Sequence, residues 1–196
     1  QDDGKVVAWG RDHVGQRAVP NNLGSASAIS AGENHSLAVR TNGTVVAWGD
    51  NESGQSDVPA GLDGVQAVAA GRYHSLALRE DGTVVAWGSN SRGQSEVPQD
   101  LTGVIAIAAG EEHNVALLEN GTVVAWGRNS VGQTSVPGGL GGVIAIAVGR
   151  THNLALKNDG TVVGWGENFG AVPQGLGGVT AIAAGSSHSV ALRENG

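Results

Sequence analysis

The chain alternates short apolar runs with glycine-rich polar turns, and no segment has the sustained 3.6-residue period of a helix. Residues 65–70 and 74–78, for example, are strand-length runs of small and β-branched residues separated by a short turn. The pair Asp81-Gly82 then leads into a third run, residues 83–87. Such a pair between two apolar runs is a strong hairpin signal, because both turn positions favour positive φ. The pattern predicts an all-β chain of short antiparallel strands.

The same unit is present five times along the sequence. The motif Gly-Thr-Val-Val-Ala-Trp-Gly returns, with small changes, at a constant step of 39 residues. A period in this range indicates a propeller, a solenoid or an array. Each unit also carries a short extended segment before a proline, such as Val58-Pro59, so we predict four strands per unit, which is one propeller blade. The units begin at Gly4, Gly43, Gly82, Gly121 and Gly160.

The two ends of the sequence predict how the units close into a ring. The chain finishes at a hairpin turn, Asn195-Gly196, and residues 5–9 have the sequence of the strand that would follow. Pairing of these segments would remove open sheet edges, which promote aggregation. An open solenoid would need dissimilar capping units. We therefore predict one domain, residues 1–196: a monomeric, five-bladed β-propeller of four-stranded blades, closed by pairing of its N- and C-terminal segments.

Composition narrows the possible partners and chemistry. The net charge of −7 disfavours a nucleic-acid partner, because phosphate binding needs a basic surface. No apolar run approaches the roughly 18 residues that a membrane helix needs, so no membrane association is predicted. The chain has no cysteine, which excludes disulfides, thiolate catalysis and cysteine-ligated zinc.

The loops differ between units much more than the strands do. In a meander, alternate loops lie at opposite ends of a blade, so the Gly-x-x-His turn and the Trp-Gly-x-Asn turn share one face. Loops on a rigid scaffold commonly carry binding, although drift on a solvated surface would also diversify them. Phe169 lies in the fifth unit, where this loop is three residues short. The candidate partner-binding residues are Arg11, Asp12, Glu33, Asn34, Asp50, Glu52, Arg72, Tyr73, Arg92, Glu111, Glu112, Arg128, Arg150, Glu167 and Phe169.

Histidine and tryptophan each recur at one position of every unit. A ring of imidazoles could bind a metal, but a residue repeated in every blade is more simply a tie that hydrogen-bonds the neighbouring backbone. We predict structural roles for both types, with the tryptophans packed between blades, and neither a metal site nor a cofactor. These residues are His35, His74, His113, His152 and His188, together with Trp9, Trp48, Trp87, Trp126 and Trp165.

Catalytic arrangements fail on geometry. Where histidine and serine are neighbours, as in His35-Ser36, adjacent residues of a strand point to opposite faces and cannot form a nucleophile–base pair. Glu111-Glu112 is a pair of carboxylates with no partner evident in the sequence. We therefore predict that the protein is not an enzyme.

The repeat resembles a known family. The stretch Ala-Ala-Gly-x-x-His-Ser-Leu-Ala-Leu at residues 69–78 resembles the signature of the regulator of chromosome condensation repeat, as does the Asp-Gly-Thr-Val-Val-Ala-Trp-Gly-x-Asn-x-x-Gly-Gln that follows. The short blade is most similar to that of β-lactamase inhibitory protein II, a secreted bacterial member. The resemblance implies a seven-bladed propeller, whereas this chain has five units. Either the ring closes at five, or the chain is part of a larger array, or units from two chains combine.

Several functions remain open from sequence. The first is a non-enzymatic scaffold that binds a protein through the divergent face. A β-lactamase inhibitor, secreted from bacteria, is implied by the resemblance, but the variable loops offer only Tyr73 and Phe169 as the aromatic anchors that binding hot spots favour. Guanine nucleotide exchange on a small GTPase ranks last, because the strict period leaves no room for an inserted wedge. Near-identical units are also typical of a repeat protein that arose by recent amplification or by design, and such a protein need have no evolved ligand.

Overall fold

The computed structural model describes residues 4–167 and 171–194, and within them the regular structure is entirely β-strand. The all-β prediction is thus confirmed. The strands, in chain order, are β1 Ala26–Ala31, β2 His35–Arg40, β3 Val45–Gly49, β4 Val65–Ala70, β5 His74–Arg79, β6 Val84–Gly88, β7 Val104–Ala109, β8 His113–Leu118, β9 Val123–Gly127, β10 Val143–Val148, β11 His152–Lys157, β12 Val162–Gly166, β13 Val179–Ala184 and β14 Ser189–Arg193.

The strands form five antiparallel sheets, one for each repeat. Four sheets are three-stranded meanders, β1–β3, β4–β6, β7–β9 and β10–β12, and the fifth contains β13 and β14. The second and third strands of each meander meet at an Asn-Gly or Asp-Gly turn. Gly82, for example, has φ of 78°, as the sequence pattern requires. We call each sheet a blade and number the blades one to five in chain order.

The prediction of four strands per blade is wrong for the described residues, where each complete blade has three. The extended segment before the proline forms local turns instead of joining a sheet. In blade two, the N–H of Asp57 donates to the carbonyl of Gly54 (3.1 Å), and the N–H of Leu62 donates to that of Pro59 (3.2 Å). Val58 still packs against the core from this segment. The turns occupy the backbone groups that a fourth strand would need for its ladder.

The hydrophobic core lies between successive blades. At the junction of blades one and two, Leu37 and Val39 of β2 pack with Val65 of β4, Ala77 of β5 and Trp87 of β6. The next junction repeats this arrangement around Trp126, and the following one around Trp165. Each of these tryptophans is 7% exposed. The core is therefore a series of similar interfaces that link neighbouring repeats, as expected for a repeat architecture.

The predicted closure, by pairing of the N-terminal segment with the last blade, is wrong for the described residues. β14 pairs with β13 alone, and residues 5–9 form no strand. Residues 4–9 are held by blade one instead. The carbonyl of Gly4 accepts from the N–H of Ala26 (2.8 Å), and Val6 packs against Leu23, Ala38 and Trp48. The terminal segment is thus fixed at one end of the series while β14 lies at the other.

Candidate partner-binding face

In blades one to four, two loops of the blade lie together, as the meander argument predicted. Backbone hydrogen bonds join the loop before the second strand to the loop after the third strand. In blade three, the N–H of Arg128 donates to the carbonyl of Glu112 (2.9 Å). In blade two, Ser89 donates in the same way to Tyr73 (2.8 Å), and in blade one Asp50 donates to Asn34 (2.9 Å). The sequence-predicted residues of blades one to four therefore lie on one end of the blades, which we call the loop face.

The innermost residues of the loop face form a chain of ion pairs across four blades. Arg72 lies between two carboxylates, with its Nε 2.6 Å from Glu33 and its guanidinium 2.5 Å from Glu111. Arg150 contacts Glu111 from the other side, at 2.8 Å and 3.0 Å. Charge therefore alternates from blade to blade at one repeat position: Glu33, Arg72, Glu111 and Arg150. The two arginines keep the pKa of Glu111 below its usual value, mainly through the hydrogen bond from Arg150.

Backbone hydrogen bonds run beside these ion pairs and join the same residues. The N–H of Arg72 donates to the carbonyl of Glu111 (3.1 Å), and that of Glu111 donates to the carbonyl of Arg150 (3.0 Å). Arg150 in turn donates to Ser186 of blade five (3.3 Å). These residues surround a central cavity of about 760 Å³. Its mouth therefore carries an arc of charged groups whose positions are fixed by both side chains and backbone.

Glu111 and Glu112, which lack an evident partner in the sequence, both have partners in the structure. Glu111 joins the inner chain of ion pairs, and Glu112 accepts from Arg128 of its own blade at 2.8 Å. Arg92 of the preceding blade also approaches Glu112, at 4.0 Å. The two adjacent side chains thus serve different partners. The partner arginines of both glutamates lie at most 39 residues away in sequence, in loops that are neighbours in the fold.

The remaining predicted residues are dispersed around this centre. The guanidinium of Arg72 lies over the ring of Tyr73, 4.9 Å from its centroid. Glu167 accepts from Thr151 (2.5 Å), and the N–H of Glu52 donates to Asp50 (3.1 Å). Two predicted residues lie apart from the inner chain, in the loop before blade one, where Asp12 pairs with Arg17 and Arg11 lies beside Trp9. Phe169 lies outside the described residues.

The repeated histidines connect neighbouring blades. The Nε2 of His74 lies 2.7 Å from Oδ1 of Asn114, and that of His113 lies 2.8 Å from Oδ1 of Asn153. His35 and His152 meet serines at the same repeat position, Ser75 and Ser189. The predicted acceptor was backbone, whereas the observed partner is a side chain of the next blade. Each of these histidines is nevertheless hydrogen-bonded to the neighbouring blade.

The hydrogen bond continues beyond the histidine to the backbone. Asn114 donates through Nδ2 to the carbonyl of Gln94 (2.7 Å), which also accepts from Nε1 of Trp126 (3.2 Å). Because Asn114 uses its amide as the donor, its oxygen faces the histidine, and His74 must carry its proton on Nε2. Gln94, like Gln55 and Gln133, is buried and was missed from sequence. The Gly-Gln pair, which the first four units share, was the available signal.

Burial keeps these imidazoles neutral. Desolvation lowers the pKa of His35 and of His113 to about 4, and it lowers the pKa values of His74 and His152 as well. The glycine three residues before each of these histidines makes this close packing possible. A Cβ on Gly71 would lie 2.1 Å from Cε1 of His74, so no other residue fits there. His188 differs from the other four because it is exposed.

Across residues 4–167 and 171–194, no group of three or more histidine, aspartate and glutamate side chains is placed to hold a metal ion. In the same residues, no helix is long and apolar enough to cross a membrane.

Replacement of Glu111 tests the energy of the inner ion pairs. We expect Glu111→Gln to lower the free energy of unfolding by about 1–2 kcal/mol, because two arginines lose a charged acceptor that is itself mostly buried. The midpoint of urea unfolding at low and high salt measures this loss, which salt should reduce. Glu80→Gln, at an exposed position on the opposite end of its blade, is the matched control. Equal effects of the two substitutions would contradict the assignment.

Comparison with known proteins agrees with this architecture. Human WBSCR16 superposes with a TM-score of 0.75 at 22% identity, over 88% of this chain and 61% of that one. Prp20p of Saccharomyces cerevisiae, whose structure was described with its binding to Gsp1p and histones, gives 0.71 at 21% identity, over 85% and 56%. The ectodomain of the receptor kinase CR4 of Physcomitrella patens gives 0.75 at 24% identity, over 95% and 52%. This chain thus spans at most about three fifths of each of these structures, and their likeness confirms the β-propeller fold.

A search of curated proteins finds no match. The family model for the regulator of chromosome condensation (RCC1) repeat, however, matches four segments, residues 26–55, 65–94, 104–133 and 143–170. Each segment begins at the first strand of a blade, and the first three end at the glutamine of the Gly-Gln pair in the loop after the third strand. The four segments together cover more than half of the sequence, and the chain therefore belongs to the RCC1 repeat family.

Proposed function

We propose that this chain is a non-enzymatic scaffold that binds a protein partner through the loop face. The observation that carries the proposal is the inner chain of ion pairs, Glu33, Arg72, Glu111 and Arg150. It holds alternating charges in fixed positions at the most divergent part of the repeat. A partner that binds here meets charged groups that need no further ordering, which lowers the entropic cost of association. A protein surface with complementary charges is the ligand that suits such a face.

The size and chemistry of the face also suit a protein more than a small substrate. The central cavity has charged groups at its mouth, and its walls are mainly repeated Ala-Gly backbone. The titratable groups nearby are engaged. Glu111 is held ionised between arginines, and burial lowers the pKa values of the four buried histidines, His35, His74, His113 and His152. A general acid or base needs a pKa near the working pH and access to substrate. The relative Prp20p has protein partners, Gsp1p and histones, and a protein partner for this chain is in keeping with that.

Capture of partners with matched variants tests the proposal. One bait carries Glu52→Ser, Tyr73→Ala and Arg92→Ser on the loop face, all outside the inner ion pairs. The control bait carries Asp63→Ser, Glu80→Ser and Glu119→Ser on the opposite end of the blades, where all three residues are exposed. Quantitative mass spectrometry then compares proteins retained by each bait with those retained by the unmodified chain.

We expect a set of proteins that the control bait retains and the loop-face bait loses. Such a set must then bind the purified chain directly, with an affinity that falls at high salt. Retention that is equal for the two baits, or that is lost with the control bait, would remove the loop face as the binding surface. Circular dichroism of both baits shows that a lost interaction does not come from unfolding.

A further inference from the structure

Arg72 shows how an arginine of the inner ion pairs is held. Its Nε contacts Glu33 of the preceding blade at 2.6 Å, and its Nη1 contacts Glu111 of the following blade at 2.5 Å. The guanidinium carries donors on more than one side, which suits it to bridge two acceptors. An arginine at this repeat position thus serves two carboxylates, one from each neighbouring blade.

Arg150, at the same repeat position two blades later, has one carboxylate instead of two. Its Nε and Nη2 contact Glu111 of the preceding blade, at 2.8 Å and 3.0 Å. The residue at this position in the following blade is Ser186. The N–H of Arg150 donates to the carbonyl of Ser186 just as that of Arg72 donates to the carbonyl of Glu111, so the two neighbours are equivalent. Within residues 4–167 and 171–194, Nη1 of Arg150 therefore has no carboxylate to match the one that Nη1 of Arg72 contacts.

Arg150 and Ser186 line a cleft of about 440 Å³ on the loop face. The side chain of Arg150 is 58% exposed, compared with 33% for that of Arg72. Ser186 and Ser187 are both exposed and bring two hydroxyl groups to the same cleft. Hydroxyl and guanidinium groups are the donors that carboxylates accept from in charge-assisted hydrogen bonds. The cleft thus offers such donors to a group that arrives from solvent.

We propose that a protein partner bound to the loop face places an aspartate or glutamate side chain in this cleft, against Nη1 of Arg150. The inference rests on the proposed function and names the chemistry of the contact. Relative to Arg150, the partner's carboxylate takes the place that Glu111 has relative to Arg72. The hydroxyls of Ser186 and Ser187 donate to it from the wall of the cleft. The alternation of charge along the inner ion pairs is thereby extended by one step.

The charges around the cleft favour a group with a single negative charge. Arg128 and Arg150 line the cleft, but Glu111 and Glu167 line it as well. A phosphate ester carries up to about two negative charges at neutral pH, and the two glutamates oppose the second of them. A carboxylate adds only one charge, and one arginine between two carboxylates is an arrangement that already exists at Arg72. The cleft is therefore suited to an acidic side chain more than to a phosphorylated one.

Substitution of Ser186 tests this position without a partner. Ser186→Glu supplies the carboxylate from the chain itself, and Ser186→Gln is the matched control, with a side chain of the same length and no charge. We expect the urea unfolding midpoint of Ser186→Glu to exceed that of Ser186→Gln at low salt, because the carboxylate pairs with Arg150. High salt should reduce the difference. A midpoint for Ser186→Glu that is equal to or below that of Ser186→Gln would show that Arg150 does not accept a carboxylate there, and would overturn the proposal.

Short random peptides displayed on phage, selected on the unmodified chain, test the preference of the cleft. We expect selected peptides to contain an aspartate or glutamate whose replacement by the corresponding amide weakens binding about tenfold or more, as for a charge pair at an interface. Ser186→Glu should weaken binding of the same peptides to a similar extent, because its own carboxylate pairs with Arg150 and repels theirs. Ser186→Gln should weaken it less. Equal losses for the two variants, or a selection without peptides that need an acidic residue, would overturn the proposal.

Capture of partners with Ser186→Glu as a further bait separates this inference from the proposed function. We expect this bait to lose partners that the loop-face bait also loses. If Ser186→Glu retains all of them, the loop face still binds protein and only the contact at Arg150 is refuted. If the loop-face bait and the control bait retain the same partners, the proposed function fails. The unfolding midpoint of Ser186→Glu then reports separately whether Arg150 accepts a carboxylate.

Discussion

Acidification from pH 7 to about pH 4 is expected to destabilise the protein steeply. The reason is that the histidines bind protons readily in the unfolded chain but resist protonation where they are buried in the folded one. The folded-state pKa values of His35 and His113 are lowered to about 4, from an ordinary value of 6.5. Between these values the unfolded chain binds protons that the folded chain does not. Stability is therefore fully present above about pH 6.5 and falls as the pH drops toward 4.

The expected magnitude is large for a single domain. One pKa unit corresponds to about 1.4 kcal/mol, so His35 and His113 each account for a loss of roughly 3 kcal/mol by pH 4. His74 and His152 act in the same direction, because burial lowers their pKa values too. The total stability of a domain is typically only about 5–15 kcal/mol. The folded state should therefore become marginal near pH 4.

Urea unfolding midpoints measured at half-unit steps from pH 7.5 to pH 3.5 will show the effect. The carboxylates whose pKa values are lowered in the folded state contribute at lower pH; hydrogen bonds from Thr161, for example, lower the pKa of Asp159 to about 2. Their contribution therefore appears below the window of the histidines. His13→Asn, at an exposed position, should leave the profile unchanged. A midpoint that is flat from pH 6.5 to 4.5 would show that the four imidazoles are not buried in solution as the structure has them.

The strands and their order could be predicted because the same sequence pattern occurs in five units. Turn pairs such as Asp81-Gly82 mark each hairpin, and their backbone requirements are local. The shared face of the two variable loops followed from the meander alone. The number of strands per blade could not be predicted in this way. A residue such as Val58 is compatible with either a strand or a run of turns. Which of the two forms depends on whether neighbouring backbone groups are placed to hydrogen-bond with it.

The ends of the chain show where pattern alone fails. Residues 5–9 have the sequence of a third strand, and they do lie in that position, but against blade one and not beside β14. The angle between successive blades decides whether the two ends meet. It depends on packing at residues such as Gly71 and His74, and no local pattern encodes it.

The inner ion pairs, by contrast, were available in the sequence. Glu33, Arg72, Glu111 and Arg150 are each separated by 39 residues, so they occupy one position in consecutive blades and must be neighbours around the cavity. Their alternating sign is the signal for mutual pairing. Glu111 lacks an evident partner in its own loop because its partners, Arg72 and Arg150, each lie one full repeat away. In a repeat protein, residues that are one period apart are adjacent in space.

Trp126→Ala should lower the free energy of unfolding by about 3–5 kcal/mol, the range observed when a large aromatic is removed from a core. The indole is 7% exposed and packs against Leu76, Leu78 and Val104 at the junction of blades two and three. Its removal leaves a cavity between two sheets whose strands are locked by their own ladders. The junction therefore cannot collapse to fill the space.

The hydrogen bond of the indole contributes less than its packing. Nε1 donates to the carbonyl of Gln94 at 3.2 Å, but that carbonyl also accepts from Asn114 at 2.7 Å and stays satisfied in the variant. Trp126→Phe, which keeps much of the ring and loses the donor, should therefore cost less than the alanine substitution. An equal cost for the two variants would mean that the hydrogen bond, and not the buried area, holds the junction.

Trp9→Ala is the matched control for this prediction, because it removes the same residue type at the same repeat position from an exposed site. Trp9→Ala should lower the free energy of unfolding, measured by urea, by less than about 0.5 kcal/mol. The difference between the two variants then measures what a neighbouring blade adds to one tryptophan. A large loss for Trp9→Ala would show that Trp9 is buried in solution and not exposed as the structure has it.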